Sequence, residues 1–486
     1  MKVLLINPPR ANSIYSEVPT PVNAEINSMP PLGLLYLESY LHHHTEHTAK
    51  IVDCQADHIH HEALEKIIAS EQPDVVGVTG HTHDLVDILL VSQTAKRVSK
   101  DIQVWWGGPH VTSFPLESLH FPEVDGAVPN EGEVVFANVL NTLATGGDLG
   151  AVNGVVYRKD GKATRTRPQP TIEDLDSIPH PRRQILNVHS YYYVLGHEVT
   201  ATSLISSRGC PYNCNFCNTP GRKTFRGRSP ANVVDEMEAC SALGIKEIYF
   251  IDDTFNVDRH RVQGICEEIL RRGLKVRWNF RARVNLLRPE LLDLLERAGC
   301  TRIHVGVEAG NDEGMRGLRK QLTVEKVRHG FEMLKKTKIA TVCYFMIGCP
   351  HERTREDVLE TIQFAIDLDP DYVLFGLMVP YPDTDIFAEG IKKGIVDPDH
   401  WRSFILNPRP GFKPQVWTEH LNESELSELL EIAFKRFYIR PKQMFRKLLE
   451  VRNIQDFARK LKAGWNIARP WKDEERGSGS EAVKVG

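Results

Sequence analysis

The sequence has no run of about 18 to 20 uninterrupted apolar residues, the length a membrane-spanning helix needs. A secretory leader is missing too. MKVLLINPPR holds a short apolar run that Pro8 and Pro9 stop, with no longer apolar stretch and no small-residue cleavage site behind it, so it reads as a first buried strand. Neither sign of charge dominates: 60 Lys and Arg stand against 64 Asp and Glu, a formal net charge of −4. That balance argues against a chain that coats nucleic acid through a uniformly basic surface, and no nucleic-acid partner is expected. Cysteine is scarce and odd in number, nine in 486 residues. Without an export signal this points to reduced thiols or metal ligation in a cytoplasmic setting rather than to a disulfide framework. Low-complexity composition and internal repeats are also missing. With 41% hydrophobic and 26% charged residues, the chain has the composition of an ordinary globular protein, which excludes disordered, collagen-like and coiled-coil classes. Its length predicts about three domains.

What is present is an alternation of short apolar runs and helical stretches. In residues 1–150, strands are expected at 2–7, 50–53, 75–79 and 103–107, with helices around 34–42, 61–68 and 84–98. Such alternation predicts an α/β, doubly wound, Rossmann-like domain whose ligands sit at the carboxyl ends of parallel strands. Residues 151–198, rich in Pro, charge and turn formers, read as a connector. A second βα series fills 199–410, with strands expected at 203–206, 247–251, 277–281, 302–307, 341–346 and 372–377. Six strands separated by helices suit a partial (βα)6 barrel working at its strand C-termini. A small α-helical region follows at 411–471, opened by the capping sequence Asn422-Glu423-Ser424-Glu425. Residues 472–486, rich in Gly, Ser and charge, read as a disordered tail.

The chemistry concentrates in Cys210-Pro-Tyr-Asn-Cys214-Asn-Phe-Cys217. One tight loop can converge three thiolates at this spacing on a single metal centre. A structural zinc loop would need a fourth ligand from elsewhere. An iron–sulfur cluster held by three cysteines leaves one iron open to another ligand. The other six cysteines (Cys54, Cys240, Cys266, Cys300, Cys343 and Cys349) are scattered in apolar contexts and read as buried packing residues, with Cys349 at a barrel strand end the one to check.

The triplet, with Phe216 before its third cysteine, resembles the CxxxCxΦC hallmark of the radical SAM superfamily. The resemblance implies a 4Fe–4S cluster on Cys210, Cys214 and Cys217 whose open iron binds S-adenosyl-L-methionine (SAM). It also implies reductive cleavage to a 5′-deoxyadenosyl radical, an electron donor such as flavodoxin or ferredoxin, and an anaerobic or microaerobic setting. Further pieces agree in order. Asp252 and Asp253 end the second barrel strand, where the family places residues near the methionine amino group. Glu308 stands in GVEAG, whose carboxylate the family sets against the ribose, and Gly348 in FMIGCP on the adenine side. The residue chemistry is suitable, since a carboxylate accepts paired hydroxyl hydrogen bonds and Gly admits close backbone approach. Arg281 and Arg283 on the third strand are candidates for a SAM or substrate carboxylate, or for structural ion pairs with Asp252 or Glu308.

The domain ahead of the barrel resembles the cobalamin-binding subclass, which includes the anaerobic magnesium-protoporphyrin ester cyclase, hopanoid methylases and other C-methyltransferases. The matching pieces are Asn7-Pro8-Pro9, Pro31-Leu32-Gly33, the strand ending at Thr79, Gly107-Gly108-Pro109-His110 and Glu131-Gly132-Glu133. Leu32, Gly33, Thr79, Thr82, Gly107 and Gly108 are the candidate cobalamin contacts. An Asp-x-His-x-x-Gly signature for a lower axial imidazole is absent, as it is in many members of the subclass.

The resemblance implies modification of an unactivated carbon, most simply C-methylation of a small-molecule, lipid or tetrapyrrole-like intermediate. Oxidative cyclisation or hydroxylation is the alternative, and a non-catalytic iron–sulfur/cobalamin sensor is the option from another class. The aromatic and basic mixture at 434–447 suits an anionic amphipathic substrate, peripheral membrane contact, or helix packing with snorkelling basic side chains.

Overall fold

The computed structural model describes residues 1–14, 29–192, 200–218, 224–449, 451, 461–462 and 464–471. The tail expected at 472–486 lies outside the described residues. Seven strands form the first sheet in the order β2-β1-β3-β4-β5-β6-β7. Five of them, β1 (Lys2–Asn7), β2 (Thr48–Asp53), β3 (Val75–Thr79), β4 (Gln103–Gly107) and β5 (Gly126–Val128), are parallel. The next two, β6 (Val156–Lys159) and β7 (Lys162–Arg165), add an antiparallel hairpin to the edge. Residues 151–198 therefore supply strands to this sheet besides connecting the two halves of the chain.

Alternation along each strand divides the core into two faces. Leu4, Ile6, Val76, Val78 and Trp106 pack beneath the helices His61–Glu71 and Leu85–Val98. Val3, Leu5, Val75 and Trp105 pack beneath Leu32–His44 and Glu133–Thr145. The chain leaves β1 toward β2 on one side and toward β3 on the other, so a topological switch point lies between β1 and β3. A ligand crevice opens at such a point.

The second sheet is wholly parallel, in the order β15-β14-β13-β12-β11-β8. It comprises β8 (Ala201–Leu204), β11 (Glu247–Phe250), β12 (Arg277–Ala282), β13 (Cys300–Glu308), β14 (Ala340–Ile347) and β15 (Tyr372–Leu377). β8 and β15 end the order without pairing to each other, so the barrel is partial. One residue set of each strand, including Phe250, Trp278, Phe280, Val305, Phe345 and Phe375, packs under the surrounding helices. The alternate set, among them Tyr249, Arg281, His304 and Tyr344, belongs to the inner face.

Helix Glu423–Tyr438 covers the β15 edge. Asn422 and Glu425 form the expected capping box, with the Glu425 amide donating to Asn422 Oδ1 at 3.0 Å and the Asn422 amide donating to Glu425 Oε2 at 2.9 Å. At the other end the Tyr438 hydroxyl meets both Val373 backbone groups, accepting from its N–H at 3.0 Å and donating to its carbonyl at 2.7 Å. An edge strand is thereby kept from pairing with another chain. Much of the aromatic and basic mixture at 434–447 is used in packing: Phe434 and Phe437 are fully buried, while Lys442 and Arg446 reach Asp369.

Candidate functional site

A cavity of about 570 Å³ lies between the strand C-termini of the first sheet and the mouth of the barrel. Gly33, Thr79, Gly107 and Gly108 line it from one side, and Asp252 and Asp253 from the other. Six of the residues singled out from sequence thus share one chamber although about 145 residues separate Gly108 from Asp253.

The turn after β4 explains its glycines. Gly108 has φ +91° and ψ −169°, a conformation essentially reserved for glycine, and a Cβ there would stand 2.6 Å from Thr79 Oγ1. The bare backbone and the hydroxyl consequently share one surface of the chamber. Two further candidates do not reach it. Leu32 packs with Tyr36, Leu175 and Ile178, and Thr82 Oγ1 lies 3.1 Å from Nδ1 of the buried His110.

The two halves are clamped where they meet. Arg208 on β9 (Ser207–Arg208) donates to Glu133 Oε1 at 2.5 Å and lies 3.2 Å from Glu131. Arg226 on β10 (Arg226–Gly227) donates to Glu131 Oε1 at 2.7 Å. All four line the chamber. The sequence pointed to Glu131 and Glu133 but not to the two arginines, whose strands are only two residues long.

The adjacent acids at the end of β11 have different tasks. Asp252 is 1% exposed and both of its oxygens are engaged: Oδ1 accepts the Ser206 N–H at 2.7 Å, and Oδ2 accepts the Ser206 and Ser207 hydroxyls at 2.6 and 2.5 Å. Arg261 stands 3.7 Å away. Asp252 therefore fixes the start of the segment leading to Cys210. Asp253 accepts one hydrogen bond, from the Gly209 N–H at 3.1 Å, and its side chain opens to the cavity. Desolvation by the surrounding protein, with the neighbouring Asp252 charge, lifts its carboxyl to about 6.

The triplet loop leaves β9 beside these acids. Cys214 is buried, Cys210 and Cys217 are part exposed, and Cys210 Sγ lies 3.5 Å from Thr254 Oγ1. Buried Asn215 ties the loop to the segment after β13, donating from Nδ2 to the Gly317 carbonyl at 2.9 Å and from its backbone to Leu318 at 3.3 Å. Among the described residues no group of three His, Cys, Asp or Glu side chains is gathered closely enough to hold a metal ion. In a 4Fe–4S cluster each cysteine binds a different iron, so the three thiols need not meet on one ion, and a soft all-sulfur donor set on one loop suits iron–sulfur ligation.

Phe216 packs against the barrel core and Lys320 Nζ lies 5.7 Å from its ring centroid. Lys320 in turn pairs with Glu308 Oε1 at 2.9 Å. Glu308 has φ +72° at a register shift between β13 and β14. Gly348, at φ +79°, leaves no room for a Cβ, which would stand 2.8 Å from Leu426 Cδ2; its N–H donates to Glu352 at 2.7 Å. Phe216, Glu308 and Gly348 lie outside the 570 Å³ chamber's lining. Cys349 is 1% exposed and burial holds its thiol well above the usual range, so it behaves as a packing residue.

The inner face of the barrel carries a polar layer that the sequence did not single out. His304 Nδ1 lies 2.8 Å from the Tyr344 hydroxyl, and its ring centroid is 5.1 Å from that of Tyr249. Burial holds His304 well below its ordinary pKa, so the imidazole is neutral. The missed signal was period two: His304 and Gly306 alternate with the buried Ile303, Val305 and Val307, which sets His304 on the opposite face of β13.

Comparison with known proteins agrees with this geometry. Residues 204–365 match the radical SAM superfamily model, and residues 23–140 match the B12 binding domain model. An uncharacterised methyltransferase of Pyrococcus horikoshii is 33% identical over 93% of this chain and 95% of its own length. The anaerobic magnesium-protoporphyrin IX monomethyl ester cyclase of Rubrivivax gelatinosus is 31% identical over 86% of this chain and 75% of its own. The cobalamin- and [4Fe-4S]-bound radical SAM methyltransferase TsrM of Kitasatospora setae shares the fold, with a TM-score of 0.66 and 21% identity over 81% of this chain and 75% of that one. The chain belongs to the cobalamin-binding radical SAM enzymes. Its cofactors are accordingly a 4Fe–4S cluster, SAM and cobalamin. Among the described residues no helix is long and apolar enough to cross a membrane.

Proposed function

We propose that the chain catalyses C-methylation of a small-molecule biosynthetic intermediate, with cobalamin at the Gly33, Thr79, Gly107 and Gly108 side of the chamber and SAM at the barrel mouth. The observation that carries this reading is the single cavity joining the Gly108 turn to Asp252 and Asp253. When bound, the three cofactors supply a carbon-centred radical and a transferable methyl group, and the side chains supply position.

Cys210, Cys214 and Cys217 are assigned as the cluster ligands. Asp252 holds the Ser206–Ser207 corner rigid, so the ligand loop starts from a fixed point. Asp253, ionised above about pH 6, is suited to a methionine ammonium group. Glu308, held in place by Lys320, is suited to ribose hydroxyls, with Phe216 packed beside that pair and the Gly348 turn, at φ +79°, on the adenine side. The Arg208–Glu133 and Arg226–Glu131 pairs hold the two binding surfaces in one relation and limit entry of water.

Reductant is needed for SAM cleavage, and a flavodoxin or ferredoxin fits that need. The helix Pro441–Leu449 exposes Met444, Phe445, Leu448 and Leu449. This face supports delivery of a lipid or tetrapyrrole-like substrate at a membrane surface. Anaerobically reconstituted protein should form 5′-deoxyadenosine with dithionite and add one methylene mass to its product per turnover. Ring closure or oxygen incorporation without methyl gain would favour the cyclase reading; no SAM cleavage would sink the enzyme reading.

A further inference from the structure

The arginines around the barrel mouth are almost all committed. Arg283 donates to the Lys320 carbonyl and stacks 3.7 Å from the Tyr212 ring centroid. Arg302 donates to Glu247 at 3.2 Å, and Arg261 to Ser206 Oγ at 2.9 Å and the Phe255 carbonyl at 3.0 Å. Arg281 differs. Its Nε donates to the Tyr249 hydroxyl at 2.9 Å, and its guanidinium carbon lies 5.6 Å from the Tyr249 ring centroid. Both terminal nitrogens lack a partner among the described residues, and the side chain is exposed.

This is an unusual disposition for an arginine on the inner face of a barrel. One edge of the fork is fixed by Tyr249, so the open edge keeps a defined direction. Asp253 and Arg281 act on each other electrostatically, each favouring the charged form of the other, without forming an ion pair. The neighbouring His304 is neutral and Tyr344 is hydrogen-bonded to it, and among the described residues no carboxylate forms an ion pair with Arg281. A preset guanidinium edge matches a planar or tetrahedral oxyanion, to which two parallel N–H groups can donate.

We propose that Arg281 is the anchor for an anionic group, carboxylate or phosphate, carried by the substrate. The anchor makes the substrate class anionic and sets which carbon of it faces the barrel mouth. The inference rests on the reading of the barrel as the reaction chamber and goes beyond it by naming the group recognised and the residue that recognises it. Lys320 is already paired with Glu308 and Arg283 with a backbone carbonyl, which leaves Arg281 as the open cation of this layer among the described residues.

The test uses full-length, cluster-reconstituted protein and two readouts that need no turnover. In the first, phenylglyoxal modification is followed residue by residue by mass spectrometry. Arg281 should react faster than Arg283 and Arg302, and inorganic phosphate should slow its reaction selectively. In the second, equilibrium binding of inorganic phosphate is compared for wild type, R281Q and R281K. R281Q should bind phosphate roughly ten- to a hundredfold more weakly, the effect of losing charge-assisted hydrogen bonds, and R281K should recover part of it. SAM affinity should be unchanged in both variants. Equal labelling of the three arginines would overturn the proposal, as would phosphate binding that is the same in R281Q. Loss of SAM binding in R281Q with phosphate binding intact would overturn it too, since the anion held would then be the cofactor's. A wild-type protein that bound no SAM would break the functional reading instead, and the phosphate measurements would still decide the role of Arg281.

Discussion

Asp252 and Asp253 are neighbours of the same residue type, and the structure gives them opposite sensitivities. Asp252→Ala removes the acceptor of three hydrogen bonds of 2.5 to 2.7 Å and leaves buried Arg261 without its nearest carboxylate. Charge-assisted hydrogen bonds contribute about 1.5–3 kcal/mol each, but these three share one group and do not add. Loss of one partner of a buried pair brackets the effect at about 3–5 kcal/mol. At about 2–4 °C per kcal/mol for a domain of 150–250 residues, Tm should fall by roughly 6–20 °C. Asp253→Asn removes a cavity-facing carboxylate that accepts a single bond at 3.1 Å. Because desolvation disfavours the charged form of Asp253, the neutral amide should leave Tm at or above that of the wild type at neutral pH. Differential scanning calorimetry of both variants, alongside iron and sulfide content after reconstitution, provides the comparison. Asp252→Ala should lose cluster with stability, whereas Asp253→Asn should keep both and lose SAM affinity. The reasoning is refuted if Asp253→Asn melts as early as Asp252→Ala, or if Asp252→Ala melts with the wild type.

Protonation of Asp253 gives a second prediction. Its carboxyl is raised to about 6 in the folded protein, so its stabilising contribution is present at pH below about 4 and lost as pH rises through about 6. SAM binding should strengthen over the same rise, and that inflection should vanish in Asp253→Asn. Gly108→Ala, which forces a Cβ to 2.6 Å from Thr79 Oγ1 at φ +91°, should cost about 1–3 kcal/mol and lower bound cobalt measured by elemental analysis. Replacing Cys210, Cys214 or Cys217 by Ala should remove cluster absorption, while Cys349→Ala should retain it; equal loss in Cys349→Ala would show that the ligand set is misassigned. Lys320→Met should weaken SAM binding through Glu308, with unchanged affinity in calorimetric titration as the contrary result.

The six barrel strands were legible because each pairs a β-branched or aromatic outer face with a short length bounded by turn residues, and the observed bounds of β15 coincide with the expected 372–377. β1, β3 and β4 were equally plain for the same reason. β5 was not, since Gly126-Ala127-Val128 is three small residues with no alternation to read. β6 and β7 were hidden because their exposed Lys and Arg side chains resemble a polar linker. At the site, linear motifs located the thiols, the acid pair and the glycine turn. They could not show that Asp252 is consumed by Ser206 and Ser207, since that depends on the end of β8 lying beside the end of β11. Nor could they place Leu32 in a packing cluster and Gly33 on the chamber wall, a difference made by the direction of one helix turn.

The Arg208–Glu133 and Arg226–Glu131 contacts also govern how this enzyme can be recombined with its relatives. A chimaera cut at the sequence boundary between corrin domain and barrel would separate each acid from its arginine and bury unmatched charges in the joint. A junction placed after Gly227 keeps both pairs together but carries β8 and the Ser206–Ser207 corner away from β11 and Asp252. Exchange within this family therefore has to rematch either the charge pairs or the β8–β11 seam, and the four charged side chains are the smaller set to carry across.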